Sequence, residues 1–273
     1  MKTILLLTNF SATSEKAIES FMLVFAPKLA ENYEFILLNT WNQPRTGHFQ
    51  MINLDDYLEE ISGFDLEKQQ AKIIRLLPGL KPRIKIQSFK GEIANIVNYL
   101  SEKQNPDLVV LGTKGSNVLR ELLVGSTTGR IVRQVNAPVL VIPESAQFQR
   151  PERIVFATDL KECTNEADFQ KLTDIVREFM AEFIILHIYK EEKPDVAKFE
   201  TCMAKYLDGI NYSFHYKQHV QVEQGISEFA VNMNANLLAM ILHDDNLLAK
   251  LFKHSVASKL TQRAELPLLI IHE

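Results

Sequence analysis

The apolar positions of this chain follow two alternating spacings along its length. Short unbroken apolar runs, such as Ile4–Thr8 and Phe35–Asn39, predict buried β-strands. The stretches between them repeat their apolar residues every three to four positions and therefore predict amphipathic helices. The first such helix has an apolar face formed by Ala17, Ile18, Phe21, Phe25 and Leu29. Apolar strands that alternate with helices are typical of a parallel sheet covered on both faces.

The pattern predicts five strands in the first half of the chain. They are Thr3–Thr8, Glu34–Thr40, Arg83–Ser88, Leu108–Leu111 and Val139–Ile142. Four helices are predicted between these strands. The second ends near Leu77, the third spans Ile93–Ser101 and the fourth spans Ser126–Val135. A long polar segment, Trp41–Gly63, is predicted between the second strand and the second helix. Sheets of this kind bind ligands at the carboxyl ends of strands where the strand order reverses, which directs attention to the residues just after strands one and four.

The second half of the chain repeats the first. Four apolar segments match in order: Ile4–Thr8 with Ile154–Thr158, Phe35–Asn39 with Phe183–His187, Asp107–Gly112 with Asn236–Ile241, and Ala137–Ile142 with Leu266–Ile271. The repeat predicts an α/β fold of two tandem parallel five-stranded sheets with helices on both faces, in domains 1–145 and 151–273. The junction is predicted within Pro143–Pro151, and we expect the last strands of the two copies to pack together.

Composition narrows the classes of function. The 273 residues are 46% hydrophobic and 23% charged with a net charge of −4, which predicts a soluble globular protein without a basic surface for nucleic acid or an anionic membrane. No apolar stretch approaches the ~20 residues that span a bilayer. Two cysteines, Cys163 and Cys202, do not form a disulfide framework, and a reduced cytoplasmic location is predicted.

One motif suggests ligand chemistry. Gly112 and Gly115 follow the fourth strand, and Gly125-Ser126 opens the next helix nine residues later, which gives G-x2-G-x9-G-S. Glycines let main-chain N–H groups approach a ligand, and a helix N-terminus favours anions, so the pattern is suited to phosphates. The hydroxyls of Ser126 and Thr127 add donors. The alternative is that these glycines only shape a turn and a helix start.

The sequence resembles the universal stress protein family in its tandem two-domain form. The resemblance is carried by Leu6–Ser14 (LLTNFSATS), the run DLVVLGTKG, the G-x2-G-x9-G-S pattern and the terminal APVLVIP. It implies an adenine-nucleotide-binding-like α/β fold, and many members of the family bind ATP. In the family, an aspartate after strand one holds the nucleoside, a main-chain group after strand two contacts the base, and the glycine-rich segment holds the phosphates.

The family roles carry over to positions of the first copy. The phosphate positions are Gly112, Gly115, Gly125 and Ser126, and the base or ribose contact falls at Thr40. Asn9 stands at the aspartate position; its amide oxygen still accepts a hydrogen bond but lacks the strength of a charged acceptor. The second copy keeps the aspartate, as Asp159, but has Ile241, Asp244, His254 and Ser255 at the phosphate positions. It is therefore not expected to bind ATP in the family manner.

These features predict a cytoplasmic stress-response protein that binds ATP, with Mg²⁺ carried by the nucleotide, as a regulatory ligand and without fast turnover. No catalytic residue and no protein metal ligand is assigned. A nucleotide-free interaction module of the same fold is the first alternative, and a slow ATPase is the second. Trp41, after the second strand, is open to two interpretations, stacking on a base or covering the sheet edge. The predicted partners are an adenine nucleotide and a second copy in a homodimer.

Overall fold

A computed structural model describes residues 2–43, 54–114, 127–146, 148–160, 166–242 and 266–272 of the chain. Its strands are β1 Lys2–Leu7, β2 Tyr33–Trp41, β3 Arg83–Lys90, β4 Leu108–Thr113, β5 Val139–Pro143, β6 Arg153–Ala157, β7 Glu182–Tyr189, β8 Tyr212–Gln218, β9 Leu237–Leu242 and β10 Leu268–His272. The helices within the described ranges are α1 Ala12–Leu29, α2 Leu54–Leu76, α3 Ile93–Gln104, α4 Thr127–Gln134, α5 Glu166–Phe179, α6 Ala197–Ala204 and α7 Val222–Asn232.

The ten strands form one continuous sheet in the order β3-β2-β1-β4-β5-β10-β9-β6-β7-β8. Neighbouring strands are parallel throughout each half. The two halves meet where β5 and β10 pair antiparallel, with Leu269 opposite Leu140. The predicted α/β class and the pairing of the last strands are thus confirmed, and the two five-stranded sets share a single sheet.

Helices cover both faces of the sheet. One buried cluster joins the sheet to α1, α2, α5 and α6 through side chains such as Phe21, Phe169 and Phe199. The other joins it to α3, α4 and α7 through side chains such as Val97, Val132 and Phe229. Because the strands are apolar on both sides, each half is a three-layer sandwich, as the unbroken apolar runs predict. No helix of the described ranges is both long and apolar enough to cross a membrane.

Of the predicted polar segment Trp41–Gly63, the last ten residues belong to α2, which begins at Leu54. Asp55 and Asp56 stand in its first turn, where carboxylates stabilise the helix N-terminus. Ser62 is the first buried residue of α2, and the apolar Tyr57 and Ile61 face solvent. The early turns therefore lack the buried apolar face on which the sequence prediction depended.

Candidate functional site

The strand order reverses direction at β1. β2 lies on one side of β1, and β4, which follows β3 in the chain, lies on the other. The connections that leave the carboxyl ends of β1 and β4 therefore diverge and leave a crevice between them. Asn9 and Gly112 stand at these two strand ends, in the place that the sequence predicted.

A tight turn leads from β1 into α1. Phe10 has the left-handed backbone conformation, with φ of 59°. Its N–H donates to Oγ1 of Thr8 over 3.0 Å, and Ser11 caps α1 by accepting a hydrogen bond from the N–H of Ser14. The turn therefore fixes the direction in which α1 leaves the sheet.

Asn9 lies exposed in this turn, and its amide oxygen already has local partners. Oδ1 accepts hydrogen bonds from the N–H of Ser11 over 3.2 Å, from Oγ of Ser11 over 2.7 Å and from Oγ of Ser14 over 2.9 Å. A carboxylate at this position would accept the same bonds. The side chain thus organises the first turn of α1, a structural role that the sequence analysis did not assign to it.

Thr40 presents its main chain to the crevice. The carbonyl of Leu38 accepts a hydrogen bond from the N–H of Thr8 over 2.9 Å, so Leu38 faces β1. The main-chain groups of alternate residues in a parallel strand face the same neighbouring strand, so those of Thr40 also point towards β1. The last residue of β1 that pairs with β2 is Leu7, opposite Leu38, so the main chain of Thr40 lies beyond the end of β1. Trp41 faces β3 instead, since its carbonyl accepts from the N–H of Gly91.

Gly112 is the point at which α1 comes closest to the sheet. A Cβ atom at Gly112 would lie 2.7 Å from the carbonyl oxygen of Thr13 and 3.0 Å from Cβ of Ala17. The glycine therefore has a packing role, which differs from the turn-shaping alternative of the sequence analysis. Of the other predicted phosphate positions, Gly115, Gly125 and Ser126 lie outside the described residues, and Thr127 is the exposed first residue of α4.

A chain of polar side chains runs from β3 through α2 and β2 to the end of β1, and sequence reasoning missed it. Nε1 of Trp41 donates to Oγ of Ser88 over 3.0 Å, and Ser88 donates to Oγ of Ser62 over 2.7 Å. Ser62 donates to Oδ1 of Asn39, and Nδ2 of Asn39 donates to the carbonyl of Thr8, each over 2.8 Å. The indole N–H of Trp41 is directed to β3 by its bond to Ser88. The signal of this network in the sequence is a polar residue, Asn39, at the end of an apolar run.

Glu144 is a second residue that sequence reasoning missed. It follows β5, and its N–H donates to the carbonyl of Thr113 over 2.8 Å. Its carboxylate accepts a hydrogen bond from Oγ1 of Thr13 over 2.5 Å, and its carbonyl accepts one from Nζ of Lys16. A half-buried carboxylate therefore connects β5 to the first turn of α1 beside the crevice.

The second half repeats the geometry of the first at the matched strand end. Leu160 has φ of 71°, and its N–H donates to Oγ1 of Thr158 over 2.7 Å, as Phe10 does to Thr8. Nδ1 of His187 lies 2.8 Å from the carbonyl of Thr158 and replaces Nδ2 of Asn39. Ile241 is buried in β9, while Asp244, His254 and Ser255 lie outside the described residues.

The sequence of the chain is similar to that of a known protein family. The model of the Universal stress protein family matches residues 1–143. A universal stress protein of Methanocaldococcus jannaschii is 26% identical over 155 residues, which cover 52% of this chain and 94% of that relative. A second one from the same organism is 30% identical over 101 residues, which cover 36% of this chain but only 55% of that relative's length.

The fold comparison extends over the second half as well. The crystal structure of a universal stress protein from Archaeoglobus fulgidus superposes with a TM-score of 0.73 at 16% identity, covering 99% of this chain and 98% of that one. At this identity the likeness shows the fold, which includes both halves of the sheet. The match of the family model over more than half of the chain shows more: the chain belongs to the universal stress protein family.

Proposed function

We propose that the first half of this chain binds ATP in the crevice between β1 and β4 and uses it as a regulatory ligand. The observation that carries the proposal is the reversal of strand order at β1, which leaves Asn9, Gly112 and the main chain of Thr40 around one crevice. In this arrangement the main chain of Thr40 contacts the base, and Asn9 lies near the ribose. The phosphates lie between Gly112 and the start of α4, at Gly115, Gly125, Ser126 and Thr127.

The proposal divides the chain into a nucleotide-binding domain, 1–145, and a second domain, 151–273, that lacks the phosphate cradle. The family model supports the first domain, since its match ends at residue 143. Ile241 supports a different role for the second, because a β-branched side chain stands where Gly112 stands in the first half. We propose a cytoplasmic role in stress response, which membership of the family supports.

We propose that Mg²⁺ is bound by the phosphates of the nucleotide and not by side chains of the protein. Within the described ranges, no three His, Cys, Asp or Glu side chains lie together as metal ligands do. Glu144 is a carboxylate beside the crevice, and its hydrogen bond from Oγ1 of Thr13 directs it to α1. We propose binding without fast hydrolysis, because an efficient reaction needs a base placed to activate water, and no residue is assigned that role.

Thermal unfolding with and without Mg-ATP tests binding. A ligand at 100 times its dissociation constant stabilises the folded state by ~2.7 kcal/mol, so a clear rise in Tm is expected at millimolar ATP. Gly125→Asp places a negative charge at a proposed phosphate position and is expected to abolish the rise. Asp159→Asn is the matched control in the second half and should leave the rise unchanged. Phosphate release at the background rate is expected for both the native chain and the control.

A second candidate function, a nucleotide-free interaction module, is favoured by one observation. Oδ1 of Asn9 already accepts three hydrogen bonds, so a ribose hydroxyl would have to compete with Ser11 and Ser14 for it. Unchanged Tm of the folded native chain at millimolar ATP would favour this function and contradict nucleotide binding. Asn9→Asp then decides whether the neutral amide is the cause, since a charged acceptor at this position should restore the rise.

A further inference from the structure

A pocket lies between the two halves of the molecule, on the edge of the sheet opposite the crevice. It has a volume of 260 Å³ and opens beside Lys2 and Asp107, at the amino ends of β1 and β4. Its sides come from α1 in the first half and α5 in the second. A ligand in this pocket would therefore contact both halves at once, at a place distinct from the proposed nucleotide site.

Aromatic rings form the inner wall of the pocket. Phe25 of α1 stacks on Phe148, with ring centroids 5.6 Å apart, and meets the edge of Phe179 of α5 with centroids 4.5 Å apart. The floor is the apolar seam of the sheet, where Leu140 and Leu269 lie opposite each other. Such a wall suits a flat apolar group, and the faces of its rings also attract cations.

The cations around the opening already have partners. Nζ of Lys2 lies 5.5 Å from the centre of the Tyr33 ring, and Nζ of Lys171 lies 2.7 Å from the buried carboxylate of Asp168. Lys28 and Arg150 donate to main-chain carbonyls at the end of α5, those of Glu178 and Phe179. These cations are thus held in place before any ligand arrives.

Two carboxylates at the opening have capacity left to accept hydrogen bonds. Asp107 accepts one from the N–H of Thr3 over 2.7 Å, and a carboxylate has several further lone pairs. Glu178 is exposed, and its carboxylate makes no hydrogen bond or ion pair with any residue that the structure describes. The opening therefore offers these two carboxylates as acceptors to an incoming cation, next to the ammonium groups of Lys2 and Lys171.

We propose that this pocket binds a small aromatic amine, with the ring against Phe25, Phe148 and Phe179 and the ammonium group at Asp107 and Glu178. The volume is a little below the ~300 Å³ at which pockets for drug-sized ligands begin, which fits a ligand of one or two fused rings. Because α1 and α5 both contact it, the ligand ties the two halves together. This site does not depend on the proposed ATP site.

Isothermal titration of the full chain with tryptamine, and with indole-3-propionate as its anionic counterpart, tests the proposal. Tryptamine is expected to bind at least about tenfold more tightly than indole-3-propionate, since a charge-assisted hydrogen bond contributes roughly that factor. The double variant Asp107→Asn, Glu178→Gln should weaken tryptamine binding by about tenfold or more. Glu59→Gln, an exposed carboxylate on α2, is the matched control and should bind as the native chain does.

Four results would overturn the proposal. They are equal affinity for the two indoles, unchanged affinity in the double variant, no binding of tryptamine at millimolar concentration by folded protein, and displacement of tryptamine by saturating Mg-ATP. The last would place the amine in the crevice instead. Circular dichroism of each variant verifies that it is folded. Ile175→Phe, which narrows the pocket without changing a charge, should weaken both indoles.

Discussion

Gly112 shows how a single hydrogen in place of a side chain sets the position of a helix. A Cβ atom there would meet the carbonyl oxygen of Thr13 at 2.7 Å, and a main-chain atom within a helix cannot rotate away. We expect Gly112→Ala to lower the free energy of unfolding by about 1–3 kcal/mol, as overpacking does elsewhere. Urea denaturation followed by circular dichroism measures the change.

Gly63 provides the matched control for this substitution. It lies inside α2, and a Cβ atom there would have no neighbour within 4 Å. Gly63→Ala should therefore raise the free energy of unfolding by roughly 0.5–1 kcal/mol through helix propensity alone. If Gly112→Ala unfolded at the same urea concentration as the native chain, the close approach of α1 would not be what the glycine provides.

His215 links stability to pH in the second half. Burial lowers the pKa of His215 below its ordinary value of 6.5, the charge of Lys217 lowers it further, and Glu182 opposes both. Below about pH 6.5 the unfolded chain binds a proton at this residue that the folded chain does not, so stability falls as pH decreases through this window. Urea midpoints at about pH 7.5 and about pH 5.5 should differ more for the native chain than for His215→Gln. A midpoint difference that is the same in both proteins would contradict the assignment.

At the residue scale, the sequence predicted where residues lie but not their local contacts. Asn9, Thr40 and Gly112 lie around the crevice because strand ends and reversal of strand order follow from the apolar pattern. The local bonds of Asn9 and the packing contact of Gly112 depend on how α1 leaves the sheet. That direction is set by a left-handed Phe10, a conformation that its residue type does not favour.

Among the elements, α2 is held to the sheet by polar contacts as well as by its buried apolar residues. Ser62 connects the helix to Asn39 of β2 and to Ser88 of β3. The sequence signals Asn39 but not its partners, since the members of the network come from elements that are distant in the chain. The strands were easier to predict because a run of buried residues on both faces is a local signal.

Removal of Asn39 tests the contribution of this network. Asn39→Ala leaves the carbonyl of Thr8 and the hydroxyl of Ser62 without their partner in a buried site, and we expect a loss of about 2 kcal/mol or more in the free energy of unfolding. Asn95→Ala, on the exposed face of α3, is the control and should have little effect. Asn39→His should recover part of the loss, because His187 contacts the carbonyl of Thr158 in the second half. Equal stability of Asn39→Ala and Asn95→Ala would show that the network does not stabilise α2.

Over the whole molecule, the antiparallel pairing of β5 with β10, the seam, joins the strands of the two repeats into one sheet. The sequence predicted that the last strands would meet, because both are apolar on both faces and would otherwise be exposed edges. Leu140 and Leu269 are 3% and 2% exposed, so separating the halves would expose apolar surface on both. The two halves should therefore unfold together.

Trp41, the sole tryptophan of the chain, makes this coupling measurable, because its fluorescence reports on the first half alone. Leu269→Asp places a carboxylate in the seam of the second half, where burying an unpaired charge costs several kcal/mol. If the halves are coupled, the variant shifts the unfolding of Trp41 to lower urea, together with the circular dichroism signal of the whole chain. Val220→Asp, at a position that is 81% exposed in the same half, should move neither signal. A Trp41 transition that stays at its native midpoint in Leu269→Asp, while circular dichroism shows an earlier loss of structure, would mean that the seam joins two independently stable units.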